Sequence, residues 1–334
     1  MNSRERVLTA LNCGIPDRVP FVDFVDEKIK KIVMGKDDFT EIEFAKKVGL
    51  DAVTMPGIYG DYSAPVFCEM PEGVNDRHFA GDGLIKKDSD LDKMVFPDPK
   101  DEKFYEPAKR FIDECSNEDI AVFFGLVPGT YATIFSMGMV DFSYALMDNP
   151  KLIEKIHERY IEWNMEVVER LQRIGGIDFF ALYDDMAFNS GPMMSPKVFR
   201  EIFVPQYKQL ADTFKVPWAF HSDGDLSVLL EDILSLGMNC INPIDPSGMD
   251  INKVKEEYGD RVCLWGNIDL RYTLTRGTVE EVDAEVKDRI MNVGKGGGYI
   301  LSSANMVTDY CKAENFVAMA EAVKKYGKYP LLCE

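Results

Sequence analysis

Positive charge and long apolar runs are what this 334-residue chain has least of. Lys and Arg number 38 against 57 Asp and Glu, a net charge of −19 with a pI near 4.7. A field of that sign repels nucleic acid and anionic membrane surfaces at long range, so neither is read as a partner. It also disfavours a polyanionic substrate unless arginines gather at the site. No run of about 18 apolar residues occurs, the length a membrane helix needs. The amino terminus, Met-Asn-Ser-Arg-Glu-Arg-Val, has no apolar signal core, so a cytoplasmic protein is expected. The seven cysteines, Cys13, Cys68, Cys115, Cys240, Cys263, Cys311 and Cys333, include no Cys-x-x-Cys pair. That spacing excludes a zinc knuckle and a redox dithiol and leaves small thiols of a reducing compartment.

What is present is an ordinary globular composition, 46% apolar and 28% charged, which rules out disorder and a fibrous role. From about residue 175 one plan repeats: a short apolar run, an acidic or polar ending, then an amphipathic stretch. The runs are 177–185 (IDFFALYDD), 216–223 (VPWAFHSD), 240–245 (CINPID), 262–269 (VCLWGNID) and 298–303 (GYILSS). Helical stretches follow at 196–213, 225–236, 250–258, 279–293 and 313–326. Such alternation indicates parallel strands joined by crossover helices. The N-terminal half supplies three more runs, 18–24 (RVPFVDF), 51–55 (DAVTM) and 120–126 (IAVFFGL), with helices at 39–48 and 103–115.

Three and five make eight, which predicts a single (β/α)8 TIM barrel over residues 1–334, with an N-terminal helical extension. Residues 57–100 form an insertion between the second and third strands, read as a hairpin. Two helices, 131–147 and 150–173, fill the next connection, and His157 on the second is a surface or packing histidine. A doubly wound sheet is disfavoured because no Gly-x-Gly-x-x-Gly follows its first strand.

In such a barrel the strand ends deliver Asp184 and Asp185, His221 and Asp223, Asp245, Asn267 and Asp269, and Asn305 to one mouth. About half of these acids cap turns or helices, Asp225 and Asp245 foremost. Neighbours on a strand point to opposite faces, so at most one of Asp184 and Asp185 faces the axis. A carboxyl against Tyr183, Met186 and Phe188 would be pushed up by desolvation, which suits a general acid. His221 and Asp223 lie two apart and can share a face, as two metal ligands or an acid–base pair. Met55, Met186, Met193, Met194, Tyr59, Phe188 and Trp265 add soft apolar groups that suit a flat aromatic ligand.

The opening Ser3-Arg-Glu-Arg-Val-Leu-Thr-Ala-Leu-Asn with Pro16-Asp-Arg-Val-Pro, the central His221-Ser-Asp-Gly, and the run from Gly294 ending Gly-Gly-Tyr-Ile-Leu-Ser-Ser-Ala-Asn305 resemble the uroporphyrinogen decarboxylase superfamily, most closely its cobamide-dependent methyltransferase branch. The resemblance implies a (β/α)8 barrel. Decarboxylase members carry an arginine-rich stretch that grips substrate carboxylates. Here the matching segment reads Val19-Pro-Phe-Val-Asp-Phe-Val-Asp-Glu, without arginine, which argues against a polycarboxylate substrate.

Zinc-dependent thiol methyltransferases of the superfamily use His-x-Cys and a distant Cys. In this sequence His221 matches, Asp223 stands at the first thiolate position and Asn305 near the second. The resemblance is thus compatible with an oxygen-rich zinc site using His221, Asp223 and Glu201 or Asp184, not with a thiolate-rich one. What it implies is transfer of a methyl group from a small donor, such as a methoxylated aromatic in an O-demethylase, to Co(I) of a separate corrinoid protein. The resemblance implies that the corrinoid arrives with the partner protein. Tyr59, Tyr183, Met186, Phe188, Trp265, Asn267, Asp269 and Asn305 are the expected substrate contacts. A decarboxylase and a non-catalytic tetrapyrrole or corrinoid binder are the alternatives, and a homo-oligomer is compatible with all three.

Overall fold

The computed structural model describes residues 1–55, 62–69 and 82–331. Seven parallel strands form one sheet: β1 (Ala52–Thr54), β2 (Ala121–Leu126), β3 (Phe179–Tyr183), β4 (Trp218–His221), β5 (Cys240–Asn242), β6 (Cys263–Ile268) and β7 (Tyr299–Ser303). They pair in chain order, with Phe123 beside Phe179, Tyr183 beside His221 and His221 beside Asn242. The eighth position belongs to the segment around Pro20–Val22. On one side Leu301 N donates to Pro20 O at 2.9 Å and Val22 N to Leu301 O at 3.1 Å; on the other, Asp51 N donates to Phe21 O at 2.8 Å. The sheet therefore closes into a (β/α)8 barrel.

Residues 18–24 make isolated bridges and no continuous ladder. The reason is chemical. Pro20 has no N–H, and the Phe21 N–H is taken at 2.8 Å by the Asp51 carboxylate. Asp51, fully buried, also accepts from Ser3 Oγ at 2.7 Å, Arg6 Nη1 at 2.6 Å and both Arg18 Nη atoms at 2.8 Å. The Ser-Arg-Glu-Arg and Pro-Asp-Arg motifs thus clamp α1 (Ser3–Leu11) under the barrel floor, away from the mouth. Arg6 holds Asp17 as well, and that hydrogen bond pulls the Asp17 carboxyl down to about 2.

The barrel interior is aromatic. Phe123 stacks on Phe179 with centroids 4.7 Å apart, Trp265 meets both edge-on, and the Trp265 indole N–H donates to Val22 O at 2.9 Å. Each such ring taken from water contributes about 2–3 kcal/mol.

The second connection departs from the expected single helix over 131–147. It breaks into α2 (Thr130–Met137) and a helix Met139–Asp148 at Gly138, whose φ of 82° ends the first. Gly83 of the insertion lies so close to this break that a Cβ would meet the Gly138 N at 2.3 Å. Within the insertion, chain 67–69 pairs antiparallel with 82–84 around a Cys68–Gly83 bridge, as a hairpin would. The expected helix at 225–236 is only Leu230–Leu234; ahead of it Asp225 accepts from Ser227 N and Oγ, and a turn fills 227–229. No helix among the described residues is long and apolar enough to cross a membrane.

Candidate active site

His221 ends β4 and is 8% exposed at the C-terminal mouth of the barrel. Its Nδ1 lies 2.5 Å from Asn242 Oδ1, and its ring packs edge-on to Tyr183 at 5.3 Å. The Nε2 atom faces two carboxylates, Asp185 Oδ1 at 3.7 Å and Asp223 Oδ1 at 3.8 Å. Neither distance is a hydrogen bond; both leave room for a cation between the three groups.

The carboxylates are set by the loop that leaves β4. Asp223 N donates to Asp185 Oδ1 at 2.9 Å, and Asn305 Nδ2 donates to Asp223 Oδ2 at 2.6 Å. Asp223 Oδ1 is buried with no hydrogen-bond partner. Burial pushes the Asp223 carboxyl up to about 6, with His221 opposing and Asp185 and Asp245 adding to the rise. Gly224 makes this turn feasible: its φ is 86°, and a Cβ there would meet Ala187 O at 2.6 Å. Asp185, His221 and Asp223 each offer a ligand atom within 4.8 Å of the others, the one such group among the described residues. An unpartnered buried carboxylate oxygen and an imidazole nitrogen aimed at two acids fit a divalent cation with one nitrogen and two oxygen ligands.

Asp184 points the other way. It is fully buried and accepts from Gly129 N at 3.2 Å, Thr130 N at 2.9 Å, Tyr131 N at 2.5 Å and the Tyr207 hydroxyl. These are the orphan donors at the start of α2, so Asp184 anchors a helix. Burial raises its carboxyl to about 6 against the pull of those donors. The raised value expected of an acid in an apolar setting is there, but the group meets the helix and not the mouth. Asp185 is the member of the pair that reaches His221.

Trp265 and Tyr183 are both buried, the first in the barrel interior and the second beside His221, and a residue the sequence reading passed over joins them. Phe24 stacks on Trp265 at 6.0 Å and meets Tyr183 and Phe123 edge-on at 5.6 Å. Its signal was the Val-Asp-Phe alternation of 22–24, which places one residue on each face in turn. Asn242 was also missed; a polar residue inside CINPID, one register step from His221, was the available clue. Beyond Phe24 opens a cavity of about 220 Å3 whose lining includes Asp23, Met55, Phe123 and Met306. Asp23, buried, accepts from Ser303 N and Oγ and from Phe24 N, and burial pushes its carboxyl up to about 7.

Several expected contacts lie elsewhere. Asn267 donates to Ile244 O at 2.6 Å and accepts from Arg289 Nε at 2.9 Å, so its amide serves packing. Asp269 caps its own turn through Arg271, Tyr272 and Thr273 N–H groups. Asp245 does the same with Ser247 and Gly224. Glu201 is exposed beside Lys197 at 4.0 Å and stands outside the trio; the helix that carries it faces solvent there. Met186 is fully buried under Ser222, Phe188 is 52% exposed at the rim, and Asn305 meets the trio through Asp223. Tyr59 lies outside the described residues. His157 is wholly buried between Phe203 and Tyr207, a packing histidine.

A (β/α)8 barrel with a histidine and two acids at the C-terminal ends of its strands defines an enzyme-like class of site. The model of the uroporphyrinogen decarboxylase (URO-D) family matches residues 84–326, and the chain belongs to that family. The chain is similar to the methylcobamide:CoM methyltransferase MtaA of Methanosarcina barkeri, 26% identical over 151 residues, 45% of this chain and 42% of that protein. It thus spans less than half the length of that relative. It is also similar to a uroporphyrinogen decarboxylase of Methylococcus capsulatus, 24% identical over 286 residues that cover 83% of this chain and 78% of the relative. Among solved structures, a methyltransferase from Methanosarcina mazei superposes with a TM-score of 0.76 at 20% identity, covering 98% of this chain and 99% of that one. That likeness speaks for the fold.

Proposed function

We propose that this chain is a methyltransferase that passes a methyl group from a small donor, of the methoxylated aromatic class, to the Co(I) corrinoid of a separate protein docked over the mouth. Asp185, His221 and Asp223 would hold a divalent cation, zinc being the one this family resemblance favours. The trio carries the reading: three donors converge on one point, with one oxygen buried and unpartnered. When bound, such a cation supplies Lewis acidity to an ether oxygen as its bond to the methyl carbon breaks.

The chain's own residues do the rest. Asp185 and Asp223 offset the cation's charge, and Asn305 ties down the second Asp223 oxygen so that the first stays aimed inward. Phe24 and Tyr183, backed by the buried Trp265, form a wall against which an arene can lie. The methyl group leaves without the bonding electron pair, which stays on the phenolate, and Co(I) supplies the pair for the new bond. No cysteine joins the trio, so activation of a thiol acceptor does not suit this donor set. The similarity to a cobamide methyltransferase supports the group-transfer class.

Decarboxylation of a polycarboxylate fits less well. Among the described residues the cavity wall carries Asp23, Asp26, Glu27 and Glu41, and its one cation, Lys30, is paired with Glu41 at 2.6 Å. Substrate carboxylates would meet like charge there. The test is an assay with Co(I) corrinoid protein and a panel of methoxylated aromatics, followed by the loss of the Co(I) spectrum. Methyl transfer that falls at least about a hundredfold in His221→Ala is expected, the scale of losing a metal's charge stabilisation. Carbon dioxide release without any partner, and no transfer from any donor, would overturn the reading.

A further inference from the structure

We infer that Asn242 is a positioning residue that locks His221 as the Nδ1–H tautomer and so keeps the Nε2 lone pair turned to Asp185 and Asp223. The inference rests on the reading of His221 as a ligand, and deepens it. His221, Asn242 and Trp265 sit on three successive strands, β4, β5 and β6. Asn242 is 3% exposed and makes two side-chain bonds: its Oδ1 lies 2.5 Å from His221 Nδ1, and its Nδ2 donates to Trp265 O at 2.8 Å.

The backbone carbonyl decides which end of the amide is which. A carbonyl oxygen can only accept, so the amide NH2 must face Trp265 O; the reverse orientation would set two oxygens against each other at 2.8 Å. The amide oxygen is then left for His221, and an oxygen at 2.5 Å requires a proton on Nδ1. In the neutral ring the other nitrogen, Nε2, carries the lone pair. Trp265 cannot swing away to release the amide, because its indole N–H is held by Val22 O and its side chain is packed in the barrel interior. The amide thus converts a fixed backbone carbonyl two strands away into a fixed lone pair at the mouth. A ligand histidine whose other nitrogen is oriented this way binds metal more tightly than one left to turn.

The tautomer can be read without metal or substrate. The chain has three histidines, so long-range proton–nitrogen correlation spectra of ring-labelled apo protein at alkaline pH give three patterns, and His221→Gln identifies the one at issue. The expected pattern for His221 is a protonated Nδ1 and a bare Nε2. Asn242→Leu should shift it toward Nε2–H and weaken binding of Zn2+ alone by about 10–100-fold. Asn242→Asp keeps an acceptor at Nδ1 but sets an oxygen against Trp265 O, so it should be less stable, while its folded fraction retains the Nδ1–H pattern and binds Zn2+. A wild-type His221 protonated on Nε2 overturns the inference even if the leucine variant does not fold, as does a folded Asn242→Leu with unchanged tautomer and affinity. Absence of Zn2+ binding by the wild type, with Nδ1–H in place, overturns instead the reading of His221 as a ligand and leaves the tautomer lock standing.

Discussion

Asp184 and Asp185 are chemically identical neighbours, and the strand's alternation gives them opposite surroundings: one is filled by a helix end, the other is left facing an imidazole. Their variants should therefore separate. Asp184→Asn would set an amide NH2 against donors from Thr130, Tyr131 or Tyr207. It should lower stability by about 2–3 kcal/mol, the cost of buried groups left unsatisfied, while Zn2+ affinity in the folded fraction stays as it was. Asp185→Asn should do the reverse, keeping the melting temperature and losing metal affinity. Thermal melts paired with metal titration check both.

His157 makes a second residue-scale case. Burial holds its imidazole down near 4, while in the unfolded chain it titrates normally, near 6.5. Between those values the unfolded state binds the extra proton, so stability falls as pH drops from about 6.5 to about 4, by a total on the order of 3 kcal/mol. His157→Gln should flatten that acid limb relative to wild type in melts across the range.

At the scale of elements, the site depends on where strands stop. The runs 216–223 and 177–185 were legible because apolar stretches ending in titratable residues are a local signal, and β4 and β3 end where those residues begin. Direction was not legible. Asn267 and Asp269 sit on an equally good strand end, yet the first is drawn off by Arg289 and the second by its own turn. Both partners lie outside the strand, the first on a helix some twenty residues on. Phe24 escaped for the opposite reason: it belongs to the strand whose pairing is broken by Pro20 and Asp51, and its partners come from β2, β3 and β6. Gly224 tests the element-scale claim. With φ at 86° and a backbone oxygen within 2.6 Å of any Cβ, Gly224→Ala must move the Asp223 loop away from Ala187. Metal affinity should fall by at least about tenfold, as for loss of a supporting contact, with the barrel's far-ultraviolet spectrum intact.

Over the whole molecule the two ends of the barrel have divided tasks. The floor gathers its arginines on a buried aspartate: Arg6 and Arg18 meet on Asp51, with Asp17 alongside. At the mouth, among the described residues, Asp185 and Asp223 face His221 and not an arginine, and in the proposed site a cation meets them instead. Arg6→Met should cost about 1.5–3 kcal/mol, the loss of charge-assisted hydrogen bonds to Asp51 and Asp17 while Arg18 still pairs with Asp51, and leave metal binding unchanged. Sequence motifs alone did not separate these tasks, since the Ser-Arg-Glu-Arg and His-Ser-Asp-Gly segments read equally as family marks; only the closed topology puts them at opposite ends.

The central claim is that the mouth holds a cation through one imidazole and two carboxylates, and X-ray absorption of the zinc-loaded protein tests it most directly. The account predicts a first shell of nitrogen and oxygen alone at about 2.0–2.2 Å, with the outer scattering of a single imidazole, and its loss in His221→Ala. A sulfur shell at about 2.3 Å, or a protein that takes up no zinc at all, would contradict it.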